Sequence, residues 1–271
     1  YLGGHVVNVQ YETLKVEVEE GVVVLRFNRP DRMNAFNTLM REELLDALHQ
    51  ARAMSGLRGL ILTGEGRGFC AGQDLGERKP LPPGQTRDLG EGLEKYFRPF
   101  ILGLRELPVP VVALVNGVAA GAGVSLALAC DVVIAVESAK FVQSFTRIGL
   151  TADAGASHFM PRLIGSARAM GMALFAEPVT ARQALEWGMI WQVVADDQRE
   201  ATLAAVRQRL AGGASCAMAA TKRALNASAG NSLEAQFDFE TSLQRELGHT
   251  EDYAEGVRAF TEKRPPRFQG R

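Results

Sequence analysis

Three features of this chain have the residue types and spacing for chemistry: two glycine-rich turns and one carboxylate in a small-residue loop. The first turn is Asn116-Gly117-Val118-Ala119-Ala120-Gly121-Ala122-Gly123, entered from the apolar run 111–115 and left through the mostly apolar run 124–130. A buried strand, a tight turn and a helix start together make an anion site, because the first N–H groups of a helix have no acceptor within it. Side chains this small let a ligand come up to the backbone. The second turn, Gly64-Glu65-Gly66-Arg67-Gly68-Phe69-Cys70-Ala71-Gly72-Gln73-Asp74-Leu75, follows the short apolar strand 59–63. Each turn could lend one backbone N–H to a single carbonyl oxygen, forming an oxyanion hole. Close packing of a helix on a sheet also wants Gly and Ala, so this pattern alone leaves both readings open.

The carboxylate is Asp153, within Ile148-Gly149-Leu150-Thr151-Ala152-Asp153-Ala154-Gly155-Ala156. It is the nearest candidate base to the first turn, and apolar neighbours would raise its pKa above the ordinary aspartate range. It could equally cap a helix beginning after it. The other polar residues read more readily as structural. His158 follows Asp153 by five residues but suits a surface or packing position, and His49 lies on a solvated helix face. Asp131 sits between a helix and a strand, where it would fix backbone, and Asp74 would cap the turn beside Ala71. Cys70 has no partner His in its surroundings, so no nucleophile is assigned to it.

Strands and helices alternate around these features. Residues 14–20 and 22–27 read as a hairpin turned at Gly21, and Asn37 or Thr38 can cap a helix over 39–53. Lys79 to Gly92, with Pro80, Pro82, Pro83, Gly84, Gly90 and Gly92, reads as a long loop suited to a lid or to a plain connector. A helix over 93–107 should be kinked by Pro99. Buried strands follow at 132–135 and 139–142, then helices at 157–163, 166–175 and 181–187, the last capped by Thr180 and stopped by Gly188. The chain to about Gly248 is helical apart from a strand-like Val193-Val194, and 253–260 forms an amphipathic helix. Alternation of this kind argues for a parallel sheet, in which ligands collect at the carboxyl ends of strands.

Composition narrows the classes. With 46% hydrophobic residues in 271 the chain can bury a large core as one α/β unit. A net charge of −1 gives no general attraction to nucleic acid or anionic membranes. The three scattered cysteines, Cys70, Cys130 and Cys216, suggest reduced thiols and a cytoplasmic protein, and no metal-ligand spacing occurs. No apolar run is long enough to span a bilayer and no signal sequence is expected.

At this point the residues resemble a known family. The stretches 68–75 and 116–123 look like the two signatures of the enoyl-CoA hydratase/isomerase (crotonase) superfamily, with Asn28-Arg29-Pro30 and Phe260-Thr261-Glu262-Lys263-Arg264 resembling its flanking motifs. The resemblance covers about residues 16–268. It implies an α/β spiral of repeated ββα units over 11–195 and a helical C-terminal trimerisation region over 196–271. It implies an acyl-CoA thioester as substrate, with coenzyme A as part of the substrate and no separate cofactor or metal. It implies oxyanion-hole donors at the Ala71 and Ala122 N–H groups, with Arg32, Gln73, Asp74, Leu75, Phe260 and Lys263 toward the CoA or acyl group. It also implies a homotrimer or hexamer.

Two departures narrow the implied activity. The family's hydratases carry two glutamates, and the corresponding positions here are Ser125 and Phe145. One carboxylate, Asp153, suits an isomerase that moves a proton between two carbons. Three stretches, 116–123, 167–171 and 186–194, resemble the branch that converts 2-(1,2-epoxy-1,2-dihydrophenyl)acetyl-CoA to an oxepin thioester, an activity of phenylacetate degradation that could accompany Δ3,Δ2-enoyl-CoA isomerisation. The other readings are a hydratase, an acyl-CoA hydrolase or dehalogenase with Asp153 as nucleophile, and a non-catalytic CoA-binding subunit.

Overall fold

In a computed structural model, which describes residues 10–78 and 81–271, the chain forms two sheets wound together. β1 (Leu14–Glu19) and β2 (Val22–Phe27) make the expected hairpin, and Glu20 and Gly21 both take positive φ, as a two-residue turn with strand-matched twist requires. α1 (Thr38–Ala53) follows, its first turn capped by Asn37, whose side chain accepts the Met40 N–H. β3 (Gly59–Gly64) and β4 (Gly68–Cys70) come next. A single helical turn, α2 (Gly90–Gly92), passes through a π turn at Leu93–Phe97 into α3 (Arg98–Glu106). β5 (Val111–Val115), β6 (Val118–Ala120) and α4 (Ala122–Ala129) repeat the pattern, as do β7 (Val132–Val136), β8 (Lys140–Val142) and α5 (Ala156–Phe175).

The repeat explains the architecture. Each unit places its first strand in one sheet and its second strand in another before its helix. With β9 at Val179–Thr180 and β10 at Gln192–Val194, the large sheet runs β1-β2-β3-β5-β7-β10 and is parallel beyond the hairpin; the small sheet runs β4-β6-β8-β9. β9 (Val179–Thr180), α6 (Ala181–Glu186) and β10 (Gln192–Val194) close the spiral, with the Thr180–Gln183 capping box starting α6. The expected α/β spiral of ββα units with a helical C-terminal region is therefore the fold observed. That region is α7 (Arg199–Gly212), α8 (Ser215–Ser228), α9 (Leu233–Gly248) and α10 (Glu251–Glu262).

The inner strands β2, β3, β5 and β7 bury both faces, so they read as mostly apolar runs, while the edge strands β1 and β10 stay partly exposed. Val23, Leu25, Leu60 and Leu62 face the main core with α1, α3, α4 and α5, while Val22, Val24, Ile61 and Leu114 face α7 through Leu203 and Leu210. Leucine, valine and phenylalanine fill the main core, with Phe27 meeting Phe69 edge-on at 5.2 Å between ring centres.

The structure departs from the sequence expectations in three places. The segments 68–70 and 118–120, read as loop and turn, are strands of the small sheet; three residues rich in Gly and Ala are too short and too small to carry a β signal. The helix expected from Leu93 begins at Gly90, and Pro99 follows directly on the π turn at Leu93–Phe97, a widened turn of the kind that accommodates a proline's missing N–H within a helix. Lys79 and Pro80 lie outside the described residues. The two helices expected at 157–163 and 166–175 run as one element broken at Gly165, whose φ of 77° and ψ of 162° are not helical.

Among the described residues no helix is long and apolar enough to cross a membrane. The helical region is tied to the spiral by a buried cation. Lys222 of α8 donates to the Leu104 carbonyl at 2.8 Å and the Val109 carbonyl at 3.1 Å, and pairs with Asp131 at 2.8 Å. Asp131 also accepts the Val111 N–H at 2.8 Å, so it fixes backbone as expected. Removing the cation takes a donor from two buried carbonyls and leaves Asp131, among the described residues, with only the Val111 N–H and Arg105 at 3.4 Å. Lys222→Ala should lower the unfolding free energy by about 3 kcal/mol, read from urea unfolding; an unchanged midpoint would show that the network holds nothing together.

Candidate active site

The two glycine-rich turns meet. β4 and β6 are neighbours in the small sheet, so the chain leaving each strand arrives at the same end of it. Gly72 holds a φ of 85°, and a β-carbon there would stand 2.8 Å from the Ala120 carbonyl oxygen and 3.4 Å from the Ala122 nitrogen. Both the left-handed backbone and the close approach require glycine. Gly123, one residue into α4, packs its Cα against the Cys70 carbonyl with no room for a side chain. Close packing of the two turns is therefore present, and it brings the start of α4 beside the 71–73 segment.

The backbone donors can be followed one by one. The Ala71 N–H, expected to be an oxyanion donor, is taken: it donates to the Met33 carbonyl at 2.9 Å. The next residues pair with Phe36 as a single parallel bridge, in which the Phe36 N–H donates to the Gly72 carbonyl at 2.7 Å and the Asp74 N–H to the Phe36 carbonyl at 3.0 Å. In such a bridge the N–H of the residue between points the other way. That residue is Gln73, and its N–H has no partner among the described residues. Ala122 is the first residue of α4, after Gly121, and its N–H is likewise without an acceptor, as helix geometry dictates. The Gly121 N–H, by contrast, donates to the Val142 carbonyl at 2.8 Å.

These two free N–H groups border a cavity of about 380 Å³ lined by residues of both turns, of the 89–97 segment and of the 144–153 segment. Asp153 is the only carboxylate among its described lining residues. Its Oδ1 is buried and without a hydrogen-bond partner. Burial pushes the carboxyl up to about 6, against the opposing positive charge of Arg78. The helix-cap alternative fails, because the residue capping α5 is Gly155 and no side chain caps that helix end. Asp153 is instead held by its backbone. Its carbonyl accepts the Ser125 Oγ hydroxyl at 2.8 Å and the Ala156 N–H at 3.0 Å, and Ala154 and Gly155 both turn left-handed after it. Ser125, fully buried, thereby fixes the acid relative to α4. Phe145 presents an aromatic wall beside Gly121.

The remaining candidates fall in several places. Gln73 and Leu75 line the cavity. Asp74 does not; it caps the 75–77 turn through the Gly76 N–H at 3.0 Å and pairs with Arg29 at 2.9 Å, which holds its carboxyl below the usual range although partial burial opposes this. Arg32 is exposed on the 30–32 turn. Phe260 and Lys263 belong to the exposed end of α10, outside the cavity of this chain. His158 and His49 are exposed. Burial pushes the Cys70 thiol up to about 12, which excludes a reactive thiolate. Sequence reading missed Arg41, Arg78 and Arg147, three cavity-lining cations that lie outside any motif. No group of three or more His, Cys, Asp or Glu among the described residues could hold a metal ion.

Comparison with known proteins agrees with the fold. The family model for enoyl-CoA hydratase/isomerase matches residues 17–271. A Rhodobacter capsulatus protein described as a probable enoyl-CoA hydratase is 49% identical over 97% of this chain and 100% of its own length. The 1,2-epoxyphenylacetyl-CoA isomerase of Escherichia coli K12 is 46% identical over 96% of this chain and 99% of its own. The crystal structure of an enoyl-CoA hydratase from Bacillus anthracis superposes with a TM-score of 0.89 at 31% identity, covering 96% of this chain and 100% of that one.

The raised Asp153 carboxyl has a consequence for stability. Between the ordinary value of 3.8 and about 6 the folded chain keeps a proton that the unfolded chain has lost. Stability therefore falls as pH rises through that window and is level above it. Asp153→Asn removes this dependence. In urea unfolding the Asn variant should gain on the native protein between pH 4 and pH 7, and parallel pH profiles would show that Asp153 is not shifted by burial.

Proposed function

The chain belongs to the enoyl-CoA hydratase/isomerase family, and from that premise we propose that it isomerises acyl-CoA thioesters, with Asp153 carrying the proton and the Gln73 and Ala122 N–H groups forming the oxyanion hole. The observation that carries this reading is that one carboxylate, and no second acid or base, lines the described cavity. The thioester carbonyl oxygen sits between the two N–H donors. Asp153 takes a proton from the α carbon, the C–H electron pair becomes the enolate double bond, and the charge on oxygen is held by the two donors. The same carboxyl then returns the proton at the γ carbon, and the double bond moves from the 3,4 to the 2,3 position. Each fixed donor is worth about 3 kcal/mol at the transition state. A carboxyl shifted to about 6 is well matched to take and return a proton near neutral pH.

Hydration needs a second group to polarise water. At the two positions where the family's hydratases carry glutamate stand Ser125, whose hydroxyl is committed to the Asp153 carbonyl, and Phe145, which is apolar. The 46% identity to an epoxyphenylacetyl-CoA isomerase supports a ring-epoxide thioester as one substrate, alongside a 3-enoyl-CoA. The 49% identity to a protein described as a hydratase favours hydration as the second reading. Exposed apolar side chains on α5, α9 and α10, among them Phe175, Phe237 and Phe260, support self-association as a trimer or hexamer.

Purified protein given a 3-enoyl-CoA should form the 2-enoyl isomer faster than it hydrates a 2-enoyl-CoA, and Asp153→Asn should lose about 10²–10⁴ of the isomerisation rate. Hydration outrunning isomerisation would favour the second reading. Because the hole is made of backbone, it is tested through its glycine: Gly72→Ala should cost about 10² in kcat with KM little changed. Unchanged kcat would remove the hole from the mechanism.

A further inference from the structure

The cavity holds more positive charge than the proton transfer uses. Of the three arginines lining it, two are tied down. Arg41 donates to the Thr38 hydroxyl at 2.9 Å and to the Asn37 carbonyl at 3.3 Å, and stacks over Tyr96 at 4.6 Å. Arg147 donates to the Ala176 carbonyl at 2.6 Å. Arg78 is different. It is half-buried, directly after the 75–77 turn, and its guanidinium makes no hydrogen bond or ion pair among the described residues. It forms no ion pair with Asp153, yet its charge acts on that carboxyl across the cavity. A gap is thus left between the acid and an arginine with five unused donors.

An unpartnered, partly desolvated guanidinium favours a ligand that brings an acceptor to it and penalises one that offers hydrocarbon. Resting on the isomerase reading, we propose that Arg78 is a specificity residue that selects acyl groups carrying an acceptor oxygen beyond the reacting double bond. The oxygen takes the place of the missing protein partner, while the carbons between lie against Asp153. Plain fatty acyl chains leave the guanidinium bare and are the poorer substrates. A hydrogen bond to a charged donor corresponds to a preference of about tenfold to a hundredfold.

The test uses two thioesters of the same shape, 3-heptenoyl-CoA and its ether analogue 6-oxa-3-heptenoyl-CoA, with native protein, Arg78→Met and Arg78→Lys. The native protein should prefer the ether in kcat/KM by about tenfold to a hundredfold. The ratio should collapse toward one in Arg78→Met and be partly restored in Arg78→Lys. Arg78→Met should also move the acid limb of the kcat/KM pH profile upward, since a cation facing Asp153 has gone; a merely structural role would leave it in place. An equal ratio in native protein and Arg78→Met overturns the proposal. If the native protein isomerises neither compound, the isomerase reading fails by itself. The Arg78 assignment is then decided by calorimetric affinities for the saturated pair, heptanoyl-CoA and 6-oxaheptanoyl-CoA, which should show the same ratio and the same collapse.

Discussion

Gly72 and Ala122 come from successive turns of the spiral, and the site depends on how closely those turns approach. The contact is between backbones. It is set by the pairing of β4 with β6 in the small sheet, and it exists because Gly72 and Gly123 leave no side chain in the way. Donors built this way do not rotate, so they need no reorganisation when charge develops between them. The bridge to Phe36 uses the Gly72 carbonyl as acceptor and the Asp74 N–H as donor, and leaves the Gln73 N–H free.

The same scaffold sets the acid. Asp153 lies on the 144–153 segment that follows β8, the next strand of the small sheet, and Ser125 of α4 grips its carbonyl. The helix that offers the Ala122 N–H therefore also positions the carboxylate, so donor and acid move together. Burying one oxygen of that carboxylate without a partner costs stability and raises its proton affinity. An interior site of this kind trades some folding free energy for a group able to exchange a proton near neutral pH.

Much of this was legible in the residues. The strand at 111–115, the helix start after Gly121 and the isolation of Asp153 among small residues could be read directly, while the absence of acid at positions 125 and 145 took its meaning from the family resemblance. What could not be read has a common cause: it depends on contacts distant in sequence. Three-residue strands such as Gly68–Cys70 and Val118–Ala120 are too short to show a period and exist only through pairing. The sequence points to Ala71 as the donor, and the Met33 and Phe36 contacts that occupy its N–H and leave that of Gln73 free come from about forty residues away. Arg78 belongs to no motif and gains its meaning only from facing Asp153 across the cavity.

The proposal that one carboxyl both removes and returns the proton makes a distinctive claim about where that proton goes. The most direct measurement is one turnover of a 3-enoyl-CoA deuterated at the α carbon, run in ordinary water with enzyme in excess, with the product examined for label at the γ carbon. Part of the deuterium should appear at the γ carbon, because a half-buried carboxyl with its Oδ1 out of contact with solvent returns some of what it took. Product with no γ label, or α exchange without any transfer, would contradict the single-acid account and call for a second proton carrier at the site.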